Sequence, residues 1–485
     1  ALPSIKRFGE YMIKIKIKAI AEVIAAEVIN LDSEIEFSGQ IVIDSRNVKP
    51  GDLFVAIKGD RQDGHDFAQA AIQAGAVAVV VAKRLSEVPQ LLVKETSNAP
   101  ENFSQPGIWA MAKLAKYLHR ELTNLKTIAI TGSSGKTTTK DLIAQMSELI
   151  GESVFTYKSS NNEIGLPLTV FRCNEKTKLL ILEMGARHTG NIKYLTDIAK
   201  PNYSIITHIG TAHLEIFGSL ENLRITKAEI IKDLTAHDWA ILNLDDKNTE
   251  ILKTLTKAKI FTVGTTQNAD LFAKDINLDE LGRPSFTMCF RGHEAKVSLQ
   301  LTGVHNVLNA LAATAPYLLE DIELSKIAEL LSSATATSPL RMQLVQLQDE
   351  ILLLNDSYNA NPESMNAALV ALEKIGTGKR KIAILGEMRE LGEKHEQFHE
   401  EIGHLVAKLN VDQLLVVGEG AKGFINGARA VDSWLGEATL LENNQALASY
   451  AKELIKPHDV ILLKASRAIA LEEVAQALIE FKGEA

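Results

Sequence analysis

Cysteine is nearly absent from this chain. Cys173 and Cys289 are the only two, far apart and outside any CxxC or Cys/His ligand spacing. That excludes a disulfide framework and a thiolate zinc site, and it fits a reducing, cytoplasmic setting. Long apolar runs are missing too. The longest, such as AIQAGAVAVVVA at 71–82, fall short of the about 20 residues a membrane-spanning helix needs. The opening ALPSIKRFGEY lacks the apolar centre of a secretory signal, and Met12 begins a cleaner pattern, so residues 1–11 are expected to stand outside the fold. Basic charge is in deficit, with 52 Lys+Arg against 61 Asp+Glu and a net charge of −9. A general polyanion binder is thereby excluded, because such binding rests on basic surface that releases counterions. No nucleic-acid partner is expected, although a local basic pocket for phosphates is still allowed. With 46% hydrophobic and 23% charged residues, the composition is that of a folded globular protein.

At 485 residues the chain exceeds one ordinary core, and its length predicts about three domains. In the first hundred residues, short apolar runs (IVIDSR, LFVAIKG, AVAVVVAK) alternate with the Ala-rich helical stretch DFAQAAIQAGA, as in a small α/β domain. The segment ETSNAPENFSQPG at 95–107 gathers Pro, Ser, Asn and Gly without periodicity, as linkers do. Beyond it, apolar strands at LKTIAIT, KLLILEMG, YSIITHIG and WAILNLDD are separated by helical stretches, the rhythm of a parallel sheet wound on both sides. A second break, SSATATSP at 332–339, precedes another strand series: ILLLND, KIAILGEM, QLLVVGEG and VILLKASR. The expected architecture is α/β in three domains: a small α/β domain at 1–98, a central phosphate-loop domain with a parallel sheet at 99–337, and a Rossmann-like domain at 338–485.

The sharpest motif is AITGSSGKTTTK at 129–140. A Walker loop carries a second glycine five positions before its Gly-Lys pair, and here that position is Ile130. The order strand, Thr-Gly-Ser-Ser-Gly-Lys-Thr-Thr, helix still serves phosphate binding. Gly132 and Gly135 let the backbone amides of the loop, including those of Ser133 and Ser134, face one concavity. The helix N-terminus adds partial positive charge, Lys136 reaches terminal phosphates, and Thr137, beside Thr138, offers a hydroxyl to Mg²⁺.

The shortened loop resembles that of the Mur ligase family, enzymes that form amide bonds through an acyl phosphate. The likeness recurs in order along the chain at SSNNEIGLPLT (159–169), LEMGARHTGNI (182–192), ITHIGTAHLEIFGSLENLRITKAEI (206–230), GVHNVLNALAA (303–313) and NDSYNANPESM (355–365). Upstream, DSRNVKPGDLFVAIKGDRQDGHDF (44–67) resembles the family's UDP-binding domain, and YNANPESM with LGEMRELGEKHEQFH (385–399) points to the branch that acts late in its pathway. The resemblance runs from Met12 to the C-terminus. It implies an ATP-dependent, cytoplasmic, monomeric ligase that joins D-Ala-D-Ala to UDP-MurNAc-tripeptide during peptidoglycan synthesis.

A carboxylate and an amine do not condense in water without activation, so ATP must first phosphorylate the carboxylate. Concentrated positive charge is needed to bring that carboxylate to the γ-phosphate, and two Mg²⁺ ions with Lys136 are its expected sources. The resemblance assigns metal ligation to Thr137, Glu183, His213 and Lys227, the last as a carbamate formed with CO₂. Glu183 also stands at the carboxyl end of a strand, where open α/β sheets bind ligands. The same resemblance places His305, Asn309, Arg341 and Asp356 around ATP, with His305 and Asn309 at i, i+4 on one helix face where an amide reads adenine. It places Ser45, Arg46, Lys58, Asp63, His65, Asn161 and Asn162 around the UDP-sugar. Tyr358, Asn359, Asn361, Lys464, Ser466 and Arg467 are placed around the acceptor. For the UDP-sugar residues a capping or turn role stays open, since Asp and Asn also bond their own backbone.

Two positions depart from the family pattern: His208 stands where Asn is usual, and Ala465 where Gly is usual. The nearest rival is the sister ligase that adds the third residue of the peptide stem, whose last domain should carry a DNPR-like motif where this chain has NANP and KASR. Folylpolyglutamate synthetase, in the same family, would leave the UDP-binding segment without a ligand. A catalytically silent nucleotide-binding homologue would lack the metal residues. Lysine and diaminopimelate remain equally open as the third residue of the donor peptide.

Overall fold

The computed structural model describes residues 14–59, 61–93, 103, 105–157, 160–210 and 214–484. Residues 1–11, most of the 95–107 linker and His213 lie outside the described residues. Cα packing separates two compact units. Among the described residues no helix is long and apolar enough to cross a membrane.

The first unit comprises 1–130, 147–186 and 190–204. Its five-stranded sheet runs in the order Ala26–Ile29, Gln90–Val93, Ala78–Val81, Leu53–Val55, Ile41–Val42. Only the pairing of Ala26–Ile29 with Gln90–Val93 is antiparallel. Ala78–Val81 is buried at every position, as expected of a β-branched run covered on both faces. Val79 and Val81 pack with Phe54, Ala68 and Ala71. The same unit pairs Leu179–Glu183 in parallel with both Lys126–Thr131 and Ser153–Phe155. In that register Glu183 lies opposite Ile130, the residue that replaces the Walker glycine.

The second unit comprises 131–146, 187–189 and 205–485. Trp239–Asn243, Lys259–Gly264 and Leu271–Leu278 pair in parallel, and Pro284–Phe290 and His293–Ser298 then continue antiparallel. The expected parallel sheet is thus extended on this side by an antiparallel meander. Its tight turn is local chemistry. Arg291 and Gly292 both have positive φ (48° and 81°), the geometry a two-residue hairpin requires.

The six-stranded sheet of this unit has the order Gln343–Gln346, Leu352–Asn355, Val460–Lys464, Lys381–Gly386, Gln413–Val417, Glu437–Leu441, parallel except for its first pair. Alternation along each strand feeds two cores. Leu354, Leu385, Val416 and Leu462 enter one, and Leu353, Ile384, Leu415 and Leu463 the other. Both faces are thus covered, which is why these strands read as unbroken apolar runs.

Candidate functional site

The phosphate loop owes its shape to two glycines. Gly132 has φ +151°, and a Cβ there would stand 2.0 Å from Thr207 Oγ1. Gly135 has φ +81° and caps the helix Lys136–Gln145, with a would-be Cβ 2.4 Å from Asn309 Oδ1. Both positions combine left-handed backbone with close approach, so only glycine fits. The loop is held on one side by the segment 207–210. Ser133 N donates to the His208 carbonyl (2.7 Å), Thr207 Oγ1 donates to the Ser134 carbonyl (2.6 Å), and Gly210 N donates to Ser133 Oγ (3.0 Å). Lys136 opens the helix and folds its ammonium onto the Gly132 carbonyl (2.8 Å). Thr137 is buried beside it, and Thr138 is half-buried.

A consequence follows for Gly132→Ala. Strain and collision together are expected to cost about 1–3 kcal/mol of stability and to weaken ADP binding at least tenfold. Thermal unfolding and ADP titration check this, and an unchanged melting temperature with unchanged affinity would contradict it.

Asn309 sits against the loop, but its amide is engaged within the protein. Its Nδ2 donates to Asn306 Oδ1 (2.9 Å), and its Oδ1 accepts from Thr139 Oγ1 at 3.5 Å. In this structure Asn309 packs against the phosphate-loop helix through these bonds. His305 precedes the helix Asn306–Leu319, and its Nδ1 is buried without a hydrogen-bond partner. Burial holds this imidazole below its ordinary value, Asp356 opposing the effect and Lys464 adding to it.

Glu183 is 2% exposed, and its Oε1 accepts from Asn161 Nδ2 (2.8 Å). Asn161 is thereby brought to Glu183. Asn162 is not: its Oδ1 accepts from Gly165 N (3.0 Å), a turn role at the start of the helix Gly165–Val170. Lys227 lies on the helix Leu220–Lys232, 2% exposed, with its ammonium 6.0 Å from the centre of the Phe217 ring. Among the described residues no three His, Cys, Asp or Glu side chains gather as a metal cage. Mg²⁺ needs no such cage, because it keeps waters and takes one or two protein oxygens alongside substrate phosphates. Thr137 and Glu183 are buried oxygen donors, the chemistry that fits this ion.

In the six-stranded sheet region, Asp356 and Lys464 form a buried pair at 2.5 Å. Lys464 also donates to the Asn359 carbonyl (2.8 Å), and Asp356 Oδ1 accepts from Met342 N (3.0 Å). The Lys464 ammonium neutralises a carboxylate that would be costly to bury alone. Arg341 lies over Tyr358, 3.9 Å from guanidinium carbon to ring centre, and Arg467 lies 5.9 Å from the same ring while bonding Glu472. Ser466 Oγ accepts from Arg389 N (2.9 Å). Asn361 has a structural role in this fold. It caps the helix Pro362–Ile375 through a reciprocal box with Ser364, which satisfies donors the helix itself leaves open. Ala465 adopts no positive φ, and its methyl packs toward Gly386, so the departure from the family's glycine imposes no backbone strain.

The expected UDP-sugar residues divide. Ser45 opens a short 3-10 turn, and the exposed Arg46 forks onto Asp44 (2.9 and 2.6 Å), which holds the Asp44 carboxyl at about 2. Lys58 is exposed and bridges Asp63 through its backbone. His65 is corrected. It is buried, its Nδ1 donates to Asp63 (2.5 Å), and its Nε2 accepts from Ala82 N (2.9 Å), so neither ring nitrogen is left for a ligand. Asp63 also takes Lys83 (3.2 Å), and these bonds hold its carboxyl well below the usual carboxylate range, the backbone bond from His65 contributing most.

Sequence reasoning missed Thr207, Asp246 and Asn243. Asp246 Oδ2 accepts from Ile209 N (2.7 Å), and Asn243 Nδ2 donates to the Thr207 carbonyl (3.1 Å), so these residues brace the segment that braces the loop. The available signal was their position at strand ends, in YSIITH and AILNLDD.

Three family profiles match in order: "Mur ligase family, catalytic domain" over 39–117, "Mur ligase middle domain" over 130–316, and "Mur ligase, glutamate ligase domain" over 340–467. A UDP-N-acetylmuramoyl-tripeptide–D-alanyl-D-alanine ligase of Mycobacterium tuberculosis (strain ATCC 25618 / H37Rv) is 39% identical, covering 96% of this chain and 98% of that protein. A crystal structure of MurF from Acinetobacter baumannii superposes with a TM-score of 0.86 at 28% identity, covering 97% of this chain and 99% of that one. The MurF ligase of Thermotoga maritima, solved in complex with ADP, gives 0.78 at 28% identity, covering 91% and 97%. The shortened phosphate loop, the three α/β domains in order and this near-complete likeness have one origin: the chain belongs to the Mur ligase family.

Proposed function

We propose that this protein is an ATP-dependent ligase that joins D-Ala-D-Ala to UDP-MurNAc-tripeptide through an acyl phosphate. The observation that carries the reading is a phosphate loop formed by Gly132 and Gly135, in a chain alike from end to end to ligases named for that reaction. Lys136 leaves the Gly132 carbonyl to meet the terminal phosphate. Thr137 and Glu183, with His213 and carbamylated Lys227, would hold two Mg²⁺ ions, which would supply positive charge against the repulsion between the donor carboxylate and the γ-phosphate. Attack by the carboxylate oxygen on the γ-phosphorus breaks the bond to ADP, and the acceptor's neutral amine then displaces phosphate from the acyl carbon. Arg341, Asp356 and His305 serve the nucleotide, Ser45, Arg46 and Lys58 the UDP-sugar, and Tyr358, Asn359, Ser466 and Arg467 the acceptor. The domain boundaries are assigned after residues 98 and 337.

The 332–339 linker is tied to the phosphate-loop helix: Gln145 and Thr335 exchange two bonds of 3.0 Å, and Ser338 Oγ donates to Asp141 (2.5 Å). Movement of that helix on nucleotide binding therefore reaches the linker directly, which supports closure that shields the acyl phosphate from water.

Phosphate release is expected only when ATP, UDP-MurNAc-tripeptide and D-Ala-D-Ala are all present. Omitting each in turn tests this, and rapid release with ATP alone would count against the ligase reading. The donor's third residue, lysine or diaminopimelate, is read from the same assay with each tripeptide.

A further inference from the structure

His208 is the one residue that both departs from the family pattern and touches the phosphate loop. Its carbonyl accepts from Ser133 N, and a Cβ on Gly132 would stand 3.1 Å from that same carbonyl oxygen. Its imidazole is 38% exposed, with Nδ1 3.2 Å from Oδ2 of the buried Asp246. Among the described residues Nε2 has no hydrogen-bond partner in the protein. Asp246 is well prepared to face a cation. Burial pushes its carboxyl up, but bonds from His208, Asn248 and Ile209 outweigh that and hold it at about 2. The side chain is thus an Asp–His pair built into the segment that shapes the phosphate loop.

We propose that His208 is a positioning residue for the phosphate loop of this protein, and that its imidazolium form is the one that favours the polyphosphate end of the nucleotide. This rests on the ATP-binding reading above and assigns it a further residue. Two effects act together. A charge-assisted bond from Nδ1 to Asp246 is stronger than a neutral one, so protonation tightens the same Asp246 oxygen that holds Ile209 N, and with it the segment whose Gly210 N holds Ser133. The imidazolium also adds a positive charge one side chain away from the loop that receives the phosphates.

The surroundings fix the direction. Asp246 raises the imidazole above its ordinary value through their hydrogen bond, burial opposes this, Glu363 beside Gly210 adds to it, and Lys247 opposes it. Of the other charged groups near it, Asp245 is bonded to Thr265, and Lys136 rests on the Gly132 carbonyl. A histidine raised on folding holds its extra stabilisation fully below its ordinary value and loses it as pH rises through the raised one. The protonated form therefore persists to higher pH than in an ordinary histidine and is lost as pH rises through the raised value. By linkage, a bound polyphosphate favours proton uptake.

The test compares wild type with His208→Asn, which keeps a short hydrogen-bond donor for Asp246 and removes only the charge. ADP with Mg²⁺ is titrated calorimetrically from pH 6 to pH 9, in buffers of differing ionisation enthalpy, with adenosine as the ligand that lacks phosphate. Titration of the ADP phosphate itself is common to both proteins and cancels in their ratio. The expected result is that wild-type affinity exceeds that of His208→Asn by roughly tenfold at low pH and converges with it at high pH. Wild type should take up a fraction of a proton more than His208→Asn on binding ADP, and adenosine should show neither difference. Asp246→Asn should move the wild-type inflection to lower pH, a readout that a merely structural role would not move. Parallel pH profiles and equal proton uptake in folded wild type and His208→Asn would overturn the proposal. Failure of wild type to bind ADP at any pH would overturn the nucleotide reading as well.

Discussion

Replacing Lys136 with alanine is expected to lower kcat by roughly 10²–10³-fold, the range for removing one preorganised group that meets transition-state charge. The UDP-sugar affinity should stay within about twofold, because Lys136 lies in the phosphate loop and Arg46 and Lys58 lie far from it in sequence, in a segment with its own sheet and core. Without nucleotide, the Lys136 ammonium lies 2.8 Å from the Gly132 carbonyl, so the side chain is held close to the loop it serves. The variant should fold with a nearly unchanged melting temperature. Single-turnover measurements with saturating substrates separate the chemical step from binding. Loss of UDP-sugar affinity as large as the loss of kcat, in a folded variant, would contradict this division of labour.

The phosphate loop was legible because its information is local. Glycines at 132 and 135 and the Lys-Thr pair after them stand at a strand-to-helix junction, and the required backbone follows from those residues alone. Strands such as Val460–Lys464 were legible for a similar reason, since burial on both faces leaves only apolar residues to read. What supports the loop was not legible. Thr207 meets Ser134 across 73 residues and Asp246 meets Ile209 across 37, and no spacing rule reports contacts made by the folding of distant strands.

The internal bonds of other candidate residues were hidden for a different reason. His65, Asn162 and Asn361 are polar side chains beside turns, and a residue that bonds its own backbone has the same local signature as one that bonds a ligand. Only the accounting of each donor and acceptor separates them. The burial of Lys464 was not legible either, because a lysine after four apolar residues looks like a strand emerging into water. Here the strand ends inside, and Asp356, 108 residues earlier, makes that burial tolerable. The antiparallel meander escaped notice because its hairpin rests on Arg291-Gly292, a weaker turn signal than Asn-Gly.

Lys227→Ala carries the other large expected effect, a loss of kcat of at least roughly 10²-fold through weakened metal-assisted charge stabilisation. The side chain is among the largest that are fully buried in the protein, on the helix Leu220–Lys232. Carbamate formation uses the neutral amine, the form that desolvation favours in general. In that reaction the amine nitrogen forms a bond to the CO₂ carbon, one C=O π bond moves its electrons to oxygen, and a proton leaves the nitrogen. The product is a carboxylate-like anion in place of a cation, an oxygen donor of the kind Mg²⁺ takes. An unmodified ammonium has three donors and no acceptor, and it would repel the metal. Two readouts distinguish a carbamate from a structural lysine. Depleting bicarbonate from the wild-type enzyme should lower activity reversibly, and a small carboxylate such as acetate should partly restore Lys227→Ala. A fully active Lys227→Ala enzyme would exclude an essential role. A loss that no carboxylate restores, in a wild type indifferent to bicarbonate, would make Lys227 a buried structural cation.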